Sequence, residues 1–452
     1  MASLTYTRDG APRWLPLVGH GLAMRQDPLA FFRALQREHG GVAPVHLGPA
    51  RGVVLSDPEP IGEVLVTHRD RYTRMTPVYE AMAGFLGQGI LTTEGETWRK
   101  HRRIVQPGFH KRRLASFTDA IVAITEADLE SWHGEVDASA LMMRLTLRVV
   151  SEVMLGTRTE ADAAAIGEAI DVAQRYTEAV IVGAFELPAF VPTRRRRVFR
   201  RAVETLDRVA YGIVDERRRS GERSDDVVSM LLDASYEDGA PVPRQQIRDE
   251  LITLLVAGHE TTSNALSWTL MRLSQHPEVA RRLRAEVDDV LGGRPPAFAD
   301  LPKLRYTRWV LDETMRLHPP APTTGRLALE PHTLGGHPMN EGDLALISFY
   351  LLHRNSDVWE NPEGFDPGRW EALSEPGALP RYAFAPFGAG TRKCIGEAFA
   401  YLEATIILAM IAQRYELHLT GRPVVPATQI TLGMADGLWM RVSARPSRAA
   451  AS

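Results

Sequence analysis

The chain has 452 residues, of which 44% are hydrophobic and 24% charged, and its formal net charge is −3. This balance is typical of a globular protein with enough apolar residues for a large core, and it excludes the strongly basic surface that bulk nucleic-acid binding requires. No linker, repeat or low-complexity tract divides the sequence, so we expect one domain over residues 1–452.

The chain contains a single cysteine, Cys394. Because no internal disulfide can form, a cytoplasmic location is the simpler expectation. The N-terminal stretch MASLTYTRDGAPRWLPLVGH lacks the basic and apolar regions of a signal peptide. No run of about 18 apolar residues without charges occurs, so we expect no membrane span.

Helical periodicity dominates the sequence and predicts a mainly α fold with a few short strands. The predicted helices cover residues 27–38, 98–105, 115–155, 162–182, 196–219, 244–274, 277–291, 303–317 and 395–414. The predicted strands cover residues 43–47, 52–55, 326–329, 344–347 and 439–443. Pro and Gly cluster at 319–340 and 361–390. Long irregular connections of this kind usually serve a functional site, and these lead towards Cys394.

Two polar tracts are interpreted as structural. The arginine-rich segment around residues 194–201 predicts a solvated helix face. Asp225 and Asp226, which follow Ser224 and precede an apolar helix, predict an N-terminal helix cap.

The cysteine stands in the pattern F-x-x-G-x-R-x-C-x-G, formed by Phe387, Gly390, Arg392, Cys394 and Gly396. An isolated cysteine is often only a small core residue. Here, the glycines would let backbone amides approach the sulfur, and the apolar helix that begins nearby would stabilise a thiolate. Zinc and iron–sulfur sites need several cysteines, whereas a thiolate-ligated haem needs one. We therefore predict that the thiol is an axial iron ligand.

This segment resembles the haem-binding loop of the cytochrome P450 family. A second landmark, E-x-x-R, is present as Glu313 and Arg316, and the segment FDPGRW supplies Arg369 as the third member of a structural triad that fastens the cysteine region. The likeness runs from PRWLPLVGH to TLGMADGLWMRV and is closer to the bacterial fatty-acid hydroxylase branch than to the camphor-hydroxylase branch. It implies a triangular, helix-rich domain with small β-sheets, and haem b buried between a long distal helix and the cysteine-loop helix.

The stretch AGHETT lies within a long apolar helical segment, where a buried glutamate is costly unless it has a partner or a task. In the family, the matching motif crosses the distal face of the haem. The resemblance assigns Ala257 and Gly258 to the haem surface, Glu260 to an acid and Thr261 to an alcohol that together deliver protons during oxygen activation. The alternative is a threonine hydroxyl bonded to the carbonyl four residues earlier and a glutamate that reaches solvent.

The resemblance also implies basic residues for the haem propionates, since guanidinium groups suit carboxylates. Trp98 and Arg102 resemble the family's propionate-binding helix. Arg326 and the cysteine-loop residues Phe387, Gly388 and Arg392 match further haem contacts. His101 and Arg103 have no such match, and we interpret them as surface cations.

By analogy, substrate contacts fall on apolar segments, which implies a hydrophobic small molecule. These positions are a loop at residues 79–86, residues 179–190, Leu255, Ala257, residues 322–324 including Pro322 and Thr323, and residues 434–435 including Met434. A terpenoid, a fatty acid and a polyketide all remain open as substrates.

Electrons are expected from separate proteins, a ferredoxin or flavodoxin with its reductase. Lys393, Arg392, Arg102 and Arg103 could offer positive charge to such an acidic partner. Two other functions are possible for the same motifs: a peroxygenase driven by hydrogen peroxide, and a non-enzymatic haem-thiolate sensor. Neither would need the pair Glu260 and Thr261, so the sequence favours the monooxygenase.

Overall fold

The computed structural model describes residues 5–6, 11–15, 18–156, 160–181, 193–375, 377–428 and 430–445. Helices predominate among them, as expected for the mainly α class. The α-helices are α1 Gly21–Gln26, α2 Pro28–His39, α3 Pro58–Gly62, α4 Pro77–Leu86, α5 Gly95–Val105, α6 Lys111–Leu129, α7 Ala138–Leu155, α8 Glu160–Ile181, α9 Arg194–Ser220, α10 Val227–Asp233, α11 Arg244–Gln275, α12 Pro277–Leu291, α13 Arg305–Leu317, α14 Phe349–Leu352, α15 Arg369–Leu373 and α16 Glu397–Arg414. None of the helices in these ranges is long and apolar enough to cross a membrane.

The strands are short. They are β1 Val42–Leu47, β2 Ala50–Leu55, β3 Tyr72–Thr73, β4 Gly134–Asp137, β5 Thr323–Ala328, β6 His332–Leu334, β7 His337–Met339, β8 Leu344–Ser348, β9 Tyr415–Leu419, β10 Pro426–Thr428, β11 Leu432–Met434 and β12 Trp439–Ala444. Four of the five predicted strands are present within one or two residues; the fifth, expected at 326–329, begins three residues earlier, as β5. The hairpin-like end of the sequence pairs β12 with β9 and β4.

Two predicted elements are wrong. The helix expected over residues 115–155 is interrupted by β4, because Gly134 adopts a left-handed backbone with φ 71° and Asp137 starts a new helix. The Asp137 carboxylate accepts hydrogen bonds from the backbone amides of Ser139 and Ala140, which is N-terminal capping. The loop expected at 79–86 is helix α4, which begins at Pro77 and buries one apolar face.

The two structural interpretations of polar tracts are confirmed. Most of the arginines at 194–201 are exposed on α9. Asp226 caps α10, since its carboxylate accepts a hydrogen bond from the Ser229 amide at 2.7 Å.

The described chain forms two compact units. Unit 1 comprises residues 1–76, 312–394 and 426–433, and unit 2 comprises residues 77–311, 395–425 and 434–452. Whether residues 1–452 act as one domain stays a prediction.

Unit 1 is built on a five-stranded sheet with the order β1-β2-β8-β5-β3. Only the pair β2 and β8 is parallel, and the other neighbours are antiparallel. Apolar side chains of β2, β8 and α3, including Leu55, Ile347 and Ile61, are fully buried in its core. Each such side chain stabilises the fold by about 1.5 to 3 kcal/mol relative to exposure.

Unit 2 is organised around α11 and α16. The 32 residues of α11 span about 48 Å, and residues 247–271 are buried at all but a few positions. The apolar sequence of α16 is buried on all sides from Tyr401 to Ala412, as expected of a core helix. A three-stranded antiparallel sheet, β4-β12-β9, completes the unit.

Candidate active site

The loop that presents Cys394 belongs to unit 1. The Cys394 backbone amide donates a hydrogen bond to the Phe387 carbonyl at 2.9 Å, which closes the loop upon itself. Gly388 and Gly390 both adopt left-handed backbones, with φ of 71° and 69°. The cysteine side chain is exposed, although cysteine is among the residues most often buried. The loop therefore offers a single thiol on the surface of its unit.

Gly390 is required by a close approach of two backbones. A Cβ atom at this position would lie 2.1 Å from the carbonyl oxygen of Leu65. The glycine thus lets the loop rest against the π-helical turn Glu63–Thr67. Gly396, by contrast, has φ −85°, which any residue adopts, so its backbone conformation gives no reason for glycine.

Glu313, Arg316 and Arg369 form a buried ion triad in unit 1. Glu313 and Arg316 are both fully buried and meet in two bonds of 2.9 Å, while Arg369 Nε lies 3.1 Å from Glu313 Oε1. The indole of Trp370 donates to the other Glu313 oxygen at 3.1 Å. This arrangement satisfies the charges that burial would otherwise make costly.

The triad is connected to the cysteine loop through carbonyl groups and one histidine. Arg316 donates to the carbonyl oxygens of His353, Pro362 and Gly364 at 2.6 to 2.8 Å. His353 Nε2 in turn accepts a hydrogen bond from the Ala385 amide at 3.0 Å, at the start of the loop. Burial, followed by the charges of Arg316 and Arg354, lowers the pKa of His353 to about 3. The ring is therefore neutral and can act as an acceptor.

The motifs do not indicate His353, and no spacing in the sequence would have identified it. Its ring also lies beside Phe384, at 5.2 Å between centroids, and Phe384 packs against Trp370 at 4.5 Å. Aromatic packing and hydrogen bonds together thus hold the segment before the cysteine loop against the triad.

Arg326 is buried on β5, also in unit 1. Its guanidinium donates to the Thr324 hydroxyl at 3.1 Å and to the Gly325 carbonyl at 2.7 Å. Both of these bonds are made by Nη1 of the guanidinium. Arg392 is half-buried within the cysteine loop. Both arginines lie in the unit that carries Cys394, and their role towards propionates stays a prediction.

In unit 2, α11 has one window in its buried surface. Residues 247–271 are mostly inaccessible, but Ala257 is exposed and Gly258, Glu260 and Thr261 are half-buried. In the described part of the chain, side chains cover this turn of the helix only in part. These four positions are those that the AGHETT motif assigns to the distal surface.

The two predicted catalytic side chains each have a hydrogen bond. The Thr261 hydroxyl donates to the Ala257 carbonyl at 2.8 Å, which is the local bond of the structural alternative. Glu260 does not simply reach solvent, because Gln174 of α8 donates to its Oε2 at 2.5 Å. The catalytic roles of both residues stay predictions.

The backbone around this window is held by α7. A Cβ atom at Gly258 would lie 3.3 Å from a methyl group of Val150, so close helix packing is one reason for the glycine. The Thr146 hydroxyl reaches the His259 carbonyl at 3.0 Å. His259 is buried, with Nδ1 2.7 Å from the Leu255 carbonyl, and burial lowers its pKa, so the ring is neutral.

The predicted propionate helix is α5 in unit 2. The Arg102 guanidinium lies 5.7 Å from the centre of the Trp98 ring, and both side chains are half-buried. Arg103 is exposed and paired with Glu237, as expected of a surface cation. The same interpretation of His101 is wrong: it is 5% exposed and lies 3.2 Å from the buried Glu250. His101 is buried because it lies on the inner face of α5, which its sequence context does not reveal.

The predicted substrate contacts are spread over the chain. Leu255 is buried on α11, Pro322 is buried before β5, Thr323 begins that strand, and Met434 is half-buried at the end of β11. Of residues 179–190, positions 182–190 lie outside the described residues. The substrate role of all these positions stays a prediction.

The residues present fit haem b. Among the described residues, no group of three or more His, Cys, Asp or Glu could hold a metal ion, so a metal centre built on several protein ligands is not indicated. The exposed thiol of Cys394 provides the one ligand that a thiolate haem needs, and Arg326 is a buried cation suited to a carboxylate.

Comparison with known proteins identifies the family. The family model Cytochrome P450 matches residues 10–436. Cyclooctatin synthase of Streptomyces melanosporofaciens is 36% identical over 436 residues, which cover 93% of this chain and 93% of the relative. Cyclooctat-9-en-7-ol 5-monooxygenase of the same organism is 35% identical, with 94% and 91% covered. Pentalenene oxygenase of Streptomyces avermitilis is 32% identical, with 95% and 96% covered.

The fold and the motifs define a haem-thiolate oxidoreductase. The chain belongs to the cytochrome P450 family. It is a haem b-dependent monooxygenase that inserts one oxygen atom of O2 into a hydrophobic small molecule, with electrons from redox proteins. The names of the relatives favour this activity over the peroxygenase and the sensor. The narrower likeness to the fatty-acid hydroxylase branch stays a prediction.

Proposed function

We propose that this monooxygenase oxidises a terpenoid. The observation that carries the proposal is the similarity, over more than nine-tenths of the chain, to relatives named for cyclooctat-9-en-7-ol and pentalenene. The apolar character of Leu255, Ala257, Pro322 and Met434 supports a hydrocarbon-rich substrate. A polycyclic hydrocarbon or its alcohol offers few polar groups, so shape and apolar contact would select it.

Haem b, bound through the Cys394 thiolate, supplies the iron chemistry that activates dioxygen. The protein's part is to hold and to move protons. The Thr261 hydroxyl donates a hydrogen bond to the Ala257 carbonyl, so its oxygen can accept a hydrogen bond from a neighbouring donor. Glu260, one residue earlier on the same helix, is the acid that would supply protons. Arg326, Arg392 and Arg102 would bind the propionates.

The substrate proposal is tested by optical titration of the ferric protein. A panel would contain cyclic diterpene alcohols, sesquiterpene hydrocarbons, medium-chain fatty acids and macrolide cores, and the signal is the low-spin to high-spin shift of the haem spectrum. We expect a saturating shift with a terpenoid and weaker responses from the other classes. A saturating response only to a fatty acid or a macrolide core would overturn the proposal.

The proton roles are tested by Thr261→Ala. We expect product per electron pair to fall by about tenfold or more, with the electrons recovered as hydrogen peroxide. Thr269→Ala is a matched control, because Thr269 is a buried threonine of the same helix with the same type of bond, to the Ala265 carbonyl at 2.7 Å. Equal coupling in both variants would contradict the assignment of Thr261.

We also propose a ferredoxin or flavodoxin, with its reductase, as the electron source. Lys393 in unit 1 and Arg103 in unit 2 are exposed cations that would attract an acidic carrier. The rate of reduction by such a carrier should fall as ionic strength rises, and charge reversal of Lys393 should weaken this dependence. A cytoplasmic enzyme acting as one domain over residues 1–452 is part of the same proposal.

A further inference from the structure

Glu260 is held by a residue that the family motifs do not include. The Gln174 side-chain amide, on α8, donates to Glu260 Oε2 at 2.5 Å, and both side chains are half-buried. The two residues are 86 positions apart. A hydrogen bond to an ionised carboxylate is stronger than one between neutral groups, so this contact restricts the carboxylate to one orientation.

The charged and titratable groups near this contact lie on α8 and α11. On α8, Asp171 lies one turn before Gln174 on the same face, and Arg175 pairs with Asp171 at 3.9 Å. On α11, the His259 ring is neutral and bonded to the Leu255 carbonyl. One bonded partner that the structure shows for Glu260 is a neutral amide, which orients the carboxyl group without placing a formal charge beside it.

We propose that Gln174 is a positioning residue for Glu260, which orients the proton-supplying carboxyl through a neutral hydrogen bond. The inference rests on the role of Glu260 in the proposed function. A proton donor must be held in place and must also gain and lose its proton near working pH. An amide holds the carboxyl group in place without a formal charge, whereas an arginine or lysine would favour the ionised carboxylate more strongly.

Three substitutions at one position separate orientation from charge. Gln174→Leu removes the donor and should lower coupled product formation by about tenfold. Gln174→Lys places a cation beside Glu260 and should move the pH profile of coupling to lower pH. Gln174→Glu places a second carboxyl there and should move the profile to higher pH, because two adjacent carboxyls share a proton. Opposite shifts would show that the proton-supplying carboxyl group senses a charge at this position, and the loss of coupling in Gln174→Leu reports the positioning role of the amide itself.

The matched control is Gln245→Leu. Gln245 lies on α11 and also bonds a carboxylate, that of Asp249 at 2.8 Å, away from the AGHETT turn. Its coupling ratio and pH profile should equal those of the parent. The haem spectrum and the substrate affinity of every variant report whether the fold and the binding site are intact.

A double-mutant cycle with Glu260→Gln separates the acid role of Glu260 from the positioning role of Gln174. If Gln174 acts through Glu260, then Gln174→Leu should cause no further loss of coupling in the Glu260→Gln background. If Glu260→Gln alone leaves coupling unchanged, the acid role in the proposed function is wrong. If Glu260→Gln uncouples the enzyme and the Gln174 variants neither uncouple it nor shift its pH profile, only the positioning role is refuted.

Discussion

Replacement of Glu403 by glutamine should remove a pH dependence from the stability of the protein. Glu403 lies within α16 and is fully buried, and among the described residues neither carboxyl oxygen has a partner in good hydrogen-bond geometry. Burial raises the pKa of Glu403 well above its usual value, and the nearby Thr262 hydroxyl opposes this effect only in part. The carboxyl is therefore neutral in the folded protein at a pH where the unfolded chain would carry it ionised.

The sign and the size of this pH dependence of the free energy of unfolding follow from proton linkage. Between the ordinary glutamate pKa, about 4.3, and the raised pKa of the folded state, the folded protein binds one more proton than the unfolded chain. The free energy of unfolding therefore falls as pH rises through this window, by about 1.4 kcal/mol per pH unit from this group alone. A glutamine side chain does not titrate, so the stability of Glu403→Gln relative to the parent should increase with pH at this slope.

The assay is urea unfolding of the holoprotein, followed by tryptophan fluorescence, at about pH 5, 6, 7 and 8. Contributions from all other titrating groups cancel in the comparison of variant and parent. Glu204→Gln, at an exposed site on α9, is the control and should run parallel to the parent. Parallel curves for Glu403→Gln as well would refute the reasoning, because they would mean that the buried carboxyl is ionised in the folded protein.

Four further substitutions test the interactions that stabilise the fold. Arg316→Lys keeps a charge beside Glu313 but loses the bonds to carbonyl groups, so the unfolding free energy should fall by about 3 kcal/mol; an unchanged denaturation midpoint would contradict this. Gly390→Ala should cost about 2 kcal/mol or more and weaken the thiolate-haem spectrum. Gly388→Ala, which has open space around its Cβ, should cost only about 1 kcal/mol, and equal losses would refute the clash at Gly390. Asp226→Ala should cost about 2 kcal/mol through the lost cap of α10, visible as a lower melting temperature.

The parts of the fold that sequence predicts are those set by local spacing. The apolar runs of α11 and α16 indicate buried helices, and E-x-x-R places Glu313 and Arg316 on one face because residues three apart are neighbours on a helix. The structure adds that this pair is fully buried, which spacing alone does not reveal. Helix periodicity identifies faces, and tertiary packing decides which of them water reaches.

The parts that sequence does not predict depend on distant partners. The acceptor role of His353 towards Ala385 and the bond from Gln174 to Glu260 join positions that share no motif. The surface interpretation of His101 failed for the same reason, since its partner Glu250 comes from another helix. The break before α7 had a local signal in Gly134, which the long apolar periodicity obscured.

The fit of the cysteine loop against the turn at Leu65 joins two segments that are distant in the sequence. Gly390 meets the Leu65 backbone, and the Tyr382 ring occupies the space where a Cβ of Gly62 would be. These two segments lie near opposite ends of the chain, so their contact closes a long loop, which is an entropically costly and late event in folding. A loop that rests on this contact would present Cys394 in its final geometry only after both segments have met.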